Sequence, residues 1–188
     1  MKTIIYMVRH GESPYNEGNK RTRGLTPKGK VDIKKVTRLL IEEGIDMVIS
    51  SPYRRAILSV EGLAEHLKLD IQIFEDLKER HFASYMMDNS ELMSGIRESF
   101  NDPDYTLPGG ESNAECQNRA ISVLNPILQE HRGQKIAIGT HGLVMTLMMN
   151  HFDPVFGLDF LNLLTKPDIY KMQFEGLELE EVTRMWKP

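Results

Sequence analysis

Two histidines occupy equivalent places in two separate stretches of this sequence. His10 follows the apolar run Ile4–Val8 within Arg9-His10-Gly11-Glu12, and His141 follows Lys135–Thr140 within Thr140-His141-Gly142. Both runs read as strands buried on both faces, and open parallel sheets gather their ligands at the carboxyl ends of such strands. A lone histidine there is more often an ordinary loop residue, but a pair at matching strand ends points to one shared site. An imidazole is a nucleophile when one ring nitrogen is free of its proton and the other is held by a hydrogen bond. Arg9 and Arg55 supply planar forks that bond two oxygens at once, which suits a phosphoryl group whose charge spreads over three oxygens during transfer. Arg54 and Arg55 stand at an expected helix start, where cations oppose the macrodipole, so solubility alone does not account for Arg55.

The elements that must position these residues are legible from periodicity. Thr26 is a candidate N-cap with Pro27 at the first helical position, and Ile33, Val36, Leu39 and Leu40 share one face of the helix that follows. Gly44 stops it. Ile45 to Ile49 reads as a second strand, and Ser51-Pro52 opens a helix with Ile57, Val60, Leu63, Ala64 and Leu67 at helical spacing. Ile71 to Phe74 is a third strand. The pattern fades from Asp76 to Gly110, apart from a short helix near Glu91 to Phe100. Ser112 and Glu115 form a capping-box pair, and Pro126 predicts a kink or restart in the helix they open. A strand from Lys135 to Thr140, a Met-rich helix to Met149, and two closing strands, Ile169 to Phe174 and Leu179 to Met185, complete the chain. This alternation predicts an α/β protein, a three-layer α/β/α sandwich with a mainly parallel central sheet and an antiparallel edge strand.

Composition narrows the function. The 188 residues are 40% hydrophobic and 27% charged with a formal net charge of −4, which suits one domain over 1–188 and argues against nucleic acid as a partner. The apolar stretch near the N-terminus is too short for a signal peptide or membrane span, so no membrane partner is expected. The single cysteine, Cys116, excludes an intrachain disulfide and fits a cytoplasmic location. His66, His81, His131 and His151 show no metal-binding spacing, so no metal and no cofactor are expected, and His66 and His131 read as helix C-terminal residues.

Arg9-His10-Gly11-Glu12-Ser13, with Asn16 three further on, resembles the signature of the histidine phosphatase (phosphoglycerate mutase-like) superfamily. Leu25-Thr26-Pro27-Lys28-Gly29, Ser50 to Ala56, Leu77-Lys78-Glu79-Arg80, Pro108 to Ser112 and Thr140-His141-Gly142 resemble its later elements in order, across nearly the whole chain. The resemblance implies that His10 is the nucleophile and forms a phosphohistidine, and that Arg9, Arg55 and His141 hold the phosphoryl oxygens. It implies further donors at Asn16, Ser13 and the backbone around Gly142, and a proton donor to the leaving oxygen at Glu79. Glu12 and Glu111 are candidates for orienting His10 or Arg55, with Glu111 equally placed to favour a helix N-terminus.

The chain departs from the family after Glu79, where a Gly-rich, Trp-containing turn is replaced by His81-Phe82-Ala83-Ser84-Tyr85-Met86-Met87. Residues 81–110 are therefore expected to form a substrate-specificity or lid segment, with Tyr85 as a candidate wall. Arg21 and Arg23, with Lys20, are candidates for a substrate anion. The basic cluster of the family's mutases is missing between Glu79 and Gly110. The expected function is a metal-independent phosphomonoesterase acting on a small phosphorylated metabolite and releasing inorganic phosphate. A phosphoglycerate mutase and a catalytically silent phosphate-binding module are the alternatives.

Overall fold

A computed structural model describes residues 1–187. The elements run β1 (Lys2–Arg9), α1 (Pro27–Ile41), β2 (Met47–Ser50), α2 (Arg54–Leu67), β3 (Ile71–Ile73), a 3-10 turn (Glu75–Leu77) and α3 (Asn89–Asn101). They continue with α4 (Asn113–Glu130), β4 (Lys135–Thr140), α5 (Gly142–Phe152), α6 (Leu158–Leu163), β5 (Asp168–Glu175) and β6 (Glu178–Arg184). The six strands form one sheet in the order β3-β2-β4-β1-β5-β6. β1 to β4 run parallel to one another, while β5 and β6 are antiparallel additions beyond β1.

Strand alternation divides the core into two layers. Ile5 and Met7 of β1 face one side and pack with α4 and α5 through Cys116, Leu124, Val144 and Met148. Tyr6 and Val8 face the other and pack with α1 and α2 through Val36, Leu40, Val60 and Leu63. Helices on both faces explain why the central strands read as unbroken apolar runs. The connection from β1 goes to one face and that from β4 to the opposite face, although the two strands are neighbours. Such divergence opens a crevice at their carboxyl ends.

The first loop is welded to α1. Thr26 caps the helix by accepting from Gly29 N at 3.0 Å, and its hydroxyl donates to the Glu12 carboxylate at 2.6 Å. Gly29 has no room for a side chain, since a Cβ there would lie 2.3 Å from the Glu12 carbonyl oxygen. Glu12 is thus an exposed partner of the cap rather than an orienter of His10 or Arg55. Leu39, assigned to the buried face of α1, is 42% exposed.

Two helix boundaries differ from expectation. α2 begins at Arg54, because Ser51-Pro52 stays in the loop and the Ser51 hydroxyl accepts from Tyr53 N instead of capping a helix. α4 runs unbroken through Pro126. A proline inside a helix costs about 3 kcal/mol. Cys116, Ala120, Leu124, Ile127 and Leu128 of the same helix are buried on the sheet, and large apolar side chains gain roughly 1.5–3 kcal/mol each, so packing prevails. The 3-10 turn and α6 carry too few residues to show a period. Replacing Thr26 with Ala is expected to cost about 1 kcal/mol of stability in urea titration. A loss below a few tenths would remove the cap from this account.

Candidate active site

The sheet brings the two histidines together through strand register. Arg9 pairs with Thr140 across β1 and β4, His10 N donates to the Thr140 carbonyl at 3.1 Å, and the imidazoles of His10 and His141 lie 5.3 Å apart by centroid. β2 adds the third edge, because Ser51 N donates to the Gly139 carbonyl and leaves Ser51 beside His141.

His10 is held in one tautomer. Its Nδ1 lies 2.7 Å from the Gly11 carbonyl oxygen, which can only accept, so the proton sits on Nδ1. Nε2 is left with a lone pair and accepts from Arg55 Nε at 3.1 Å. Burial, followed by the charge of Arg55, pushes the His10 pKa well below the ordinary histidine value. The ring is therefore neutral at neutral pH. His141 is fully buried and held neutral for the same first reason. Its Nε2 lies 2.7 Å from Ser51 Oγ, and its Nδ1 has no partner.

Arg55 reaches this site from the first turn of α2, 98% buried by side-chain packing and loop contacts in the sense that only 2% of its surface is exposed. It donates from Nη1 to the Lys20 carbonyl and lies over the Tyr53 ring. Burial and the nearby Arg23 lower its pKa to about 10. Arg9 is anchored from the other side, donating from Nη1 to the carbonyls of Leu164 and Thr165 at 3.0 and 3.2 Å. Its guanidinium lies flat against Gly142, where a Cβ would come within 2.8 Å of Nη2. Only glycine admits that approach.

Glu79 follows the 3-10 turn and docks its carboxylate on the N-terminus of α5, accepting from Leu143 N at 3.2 Å and Val144 N at 3.0 Å. Arg119 of α4 holds the loop that carries it, donating to the carbonyls of Asp76 and Lys78 while pairing with Glu111. Glu111 is thereby committed to Arg119 and does not orient His10 or Arg55. The neighbouring Arg80 turns away from the site and buries its guanidinium against Ser99, Asn113 and the Glu111 carbonyl.

The resulting cavity of about 150 Å³ is lined by Arg9, His10, Ser13, Arg23, Arg55, Glu79 and Gly142, together with Tyr15 and Lys166. Arg9 Nε, Ser13 Oγ, Arg23 Nε and His141 Nδ1 are buried with no hydrogen-bond partner. Cations and unpaired N–H and O–H donors make this a receptor for an anion. Three residues expected here stand elsewhere. Asn16 is exposed and does not line the cavity. Arg21 makes a two-pronged ion pair with Glu75, and Tyr85 points its hydroxyl to Glu91 at 2.6 Å. Local carboxylates outcompete the site for both. Ser51 reads in the sequence only as a helix opening within the Ser50 to Ala56 element, and neither Tyr15 nor Lys166 stands out there as a site residue. Tyr15 carried no signal beyond its place in the first loop, and Lys166 none beyond its position just before β5.

A doubly wound α/β sheet with two neutral imidazoles and buried guanidinium forks at its switch point defines a phosphoryl-handling protein. Residues 5–178 match the family model of the histidine phosphatase superfamily (branch 1), and the chain belongs to that superfamily. It is 30% identical over 164 residues to phosphoglycerate mutase-like protein 4 of Arabidopsis thaliana, spanning 80% of this chain and 71% of that one. It is 29% identical over 155 residues to phosphoserine phosphatase 1 of Hydrogenobacter thermophilus, spanning 77% and 73%. Among solved structures, a mycobacterial glucosyl-3-phosphoglycerate phosphatase superposes with a TM-score of 0.78 at 16% identity, covering 98% of each chain.

Two measurements probe this geometry. Ring nitrogen NMR of the free protein is expected to show His10 as the neutral Nδ1–H tautomer with no titration midpoint between pH 8 and about 6.5, the ordinary value. A midpoint at or above that value would contradict the depressed pKa. Replacing Gly142 with Ala is expected to push Arg9 off its seat and lower kcat/KM by about a hundredfold, the scale of a 1 Å misplacement. Unchanged kinetics would show that Arg9 does not need this contact.

Proposed function

We propose that this chain is a metal-independent phosphomonoesterase working through a phosphohistidine intermediate. One observation carries the reading: the lone pair of neutral His10 Nε2 stands at a cavity whose other polar lining groups, apart from the Glu79 carboxylate, can donate to an oxyanion. In the first step Nε2 attacks phosphorus, the bond to the ester oxygen breaks, and Glu79 gives its proton to the departing alcohol. In the second, the Glu79 carboxylate takes a proton from water as the water oxygen attacks phosphorus. The P–N bond breaks, inorganic phosphate leaves, and His10 returns to neutral.

Arg9, Arg55 and His141 Nδ1–H stabilise the three equatorial oxygens, with Ser13 and the backbone at Gly142 as further donors. Arg55 must release Nε2 for attack, and a phosphoryl oxygen replaces the ring nitrogen as its acceptor. Residues 81–110 form the substrate-facing segment of a single domain, anchored by the buried Arg80. Small phosphorylated metabolites are the substrates. The net charge of −4 argues against a nucleic-acid partner, and among the described residues no helix is long and apolar enough to cross a membrane. The buried, unpaired Cys116 supports a cytoplasmic location.

Purified protein is expected to hydrolyse p-nitrophenyl phosphate in excess chelator, and His10→Ala to reduce kcat by about 10⁴-fold or more. Activity that disappears with the chelator, or survives in His10→Ala, would overturn the reading. So would phosphoryl transfer between hydroxyls of phosphoglycerate that outpaces phosphate release, or tight phosphate binding without turnover.

A further inference from the structure

His10 and His141 place the same ring at matching strand ends, yet their anchors differ in kind. The Gly11 carbonyl holds His10 at Nδ1 and can only accept. His141 is held at the opposite nitrogen, Nε2, by the Ser51 hydroxyl at 2.7 Å. A hydroxyl both donates and accepts, so the other partners of Ser51 Oγ decide the direction of that bond.

Ser51 and His141 are both fully buried. Among the described residues, the one other polar group bonded to Ser51 Oγ is the Tyr53 backbone N–H at 3.2 Å, which can only donate. It takes one lone pair of the oxygen and leaves the hydroxyl proton a single acceptor, His141 Nε2. Were the ring proton on Nε2 instead, the Ser51 hydroxyl would carry a buried proton with nothing to accept it, and stranded donors are costly. Nε2 therefore holds a lone pair. An imidazolium fails on the same count, and burial followed by the charge of Arg55 keeps the ring neutral. The one ring proton of His141 then sits on Nδ1, the atom that is buried without a partner.

The clamp is built from two strands and the loop between β2 and α2. Ser51 N donates to the Gly139 carbonyl of β4 at 3.0 Å, and the Ser50 hydroxyl donates to the Ser51 carbonyl at 2.9 Å. The His141 ring meets His10 and Tyr53 edge to face, with centroids 5.3 and 5.1 Å away. Tyr53 thus acts twice, its backbone fixing the direction of the Ser51 hydroxyl and its ring flanking the imidazole which that hydroxyl holds.

We propose that Ser51 is a positioning residue that makes His141 a neutral donor to a phosphoryl oxygen and so reserves the nucleophile's part for His10. This rests on the proposed phosphatase reaction and deepens it. Both rings are Nδ1–H tautomers used from opposite ends: His10 offers the Nε2 lone pair, and His141 offers Nδ1–H. With its lone pair engaged by Ser51, His141 has none left for attack on phosphorus. A neutral donor also adds no third cation to Arg9 and Arg55, whose like charges already meet in a partly desolvated site.

The test uses the full chain with labelled ring nitrogens and inorganic phosphate as the probe. Long-range proton–nitrogen NMR of the native protein is expected to show His141 as the neutral Nδ1–H tautomer, with that N–H signal moving as phosphate is added. In Ser51→Ala nothing keeps the proton on Nδ1, and His141 is expected to shift it wholly or in part to Nε2 while His10 keeps its tautomer. Calorimetry is expected to show phosphate binding to Ser51→Ala weakened by about tenfold or more, with kcat/KM for p-nitrophenyl phosphate falling by at least the same factor. A native His141 that is Nε2–H or charged, or an Nδ1–H signal indifferent to phosphate, would overturn the role. So would a Ser51→Ala variant that keeps the His141 tautomer, the phosphate affinity or kcat/KM. If that variant does not fold, the two measurements on the native protein decide alone. If the native protein hydrolyses no ester, the phosphatase reading fails by itself, and the tautomer and the phosphate titration still decide on Ser51.

Discussion

The hydrogen bond from His10 Nδ1–H to the Gly11 carbonyl is the contact on which the rest of the site depends. It fixes the tautomer, and the tautomer decides what can stand on the other side of the ring. Arg55 can aim a cationic N–H at Nε2 only because that nitrogen holds a lone pair. A protonated imidazole there would meet the guanidinium as a like charge. Burial and Arg55 then depress the pKa of His10, so the arrangement reinforces itself. The backbone completes the circuit, since Gly11 N donates to Ser59 Oγ and the Ser59 hydroxyl donates to the Arg55 carbonyl. The His10 loop and the Arg55 guanidinium are thus referenced to the same turn of α2.

The fold supplies this contact through topology rather than through one local motif. Placing β4 between β2 and β1 sets His141 against His10 and Ser51 against His141. The divergent crossovers of β1 and β4 keep side chains out of the crevice between them. Gly142 and Gly29 are the places where backbone must approach closely, one beneath Arg9 and the other beneath Glu12. The buried cations that result cost stability, as they do wherever a charge leaves water without a partner. An anion is the missing partner, which ties the strain of the free site to its ligand.

Much of this was legible in the sequence because each signal was a local conflict or a clean period. Apolar runs ending in histidine marked β1 and β4, and a cation at a helix start marked Arg55 as serving something other than its own helix. What stayed hidden depends on distant partners. Ser51-Pro52 looks like a helix opening, and only the neighbouring His141 shows why the serine stays outside α2. Arg21 and Arg23 are indistinguishable by composition, and a carboxylate on the 3-10 turn, Glu75, sends one to the surface while the other enters the cavity. Lys166 follows a helix of six residues, too short to register as a period, and owes its position to Asp168 and Arg184. At Pro126, where the sequence predicts a kink or a restart, the helix does not restart, since the packing of α4 on the sheet outweighs the bond that proline forgoes.

The central claim is that His10 attacks through Nε2 while Nδ1 stays bound to Gly11. Rapid acid-free quenching of the enzyme during turnover of a phosphate ester, followed by phosphorus NMR and peptide mass spectrometry, addresses it directly. The account predicts an acid-labile, base-stable phosphoryl group on Nε2 of His10. A phosphoryl group on Nδ1, on His141 or on any other residue, or steady turnover with no phosphoenzyme at any time, would contradict it.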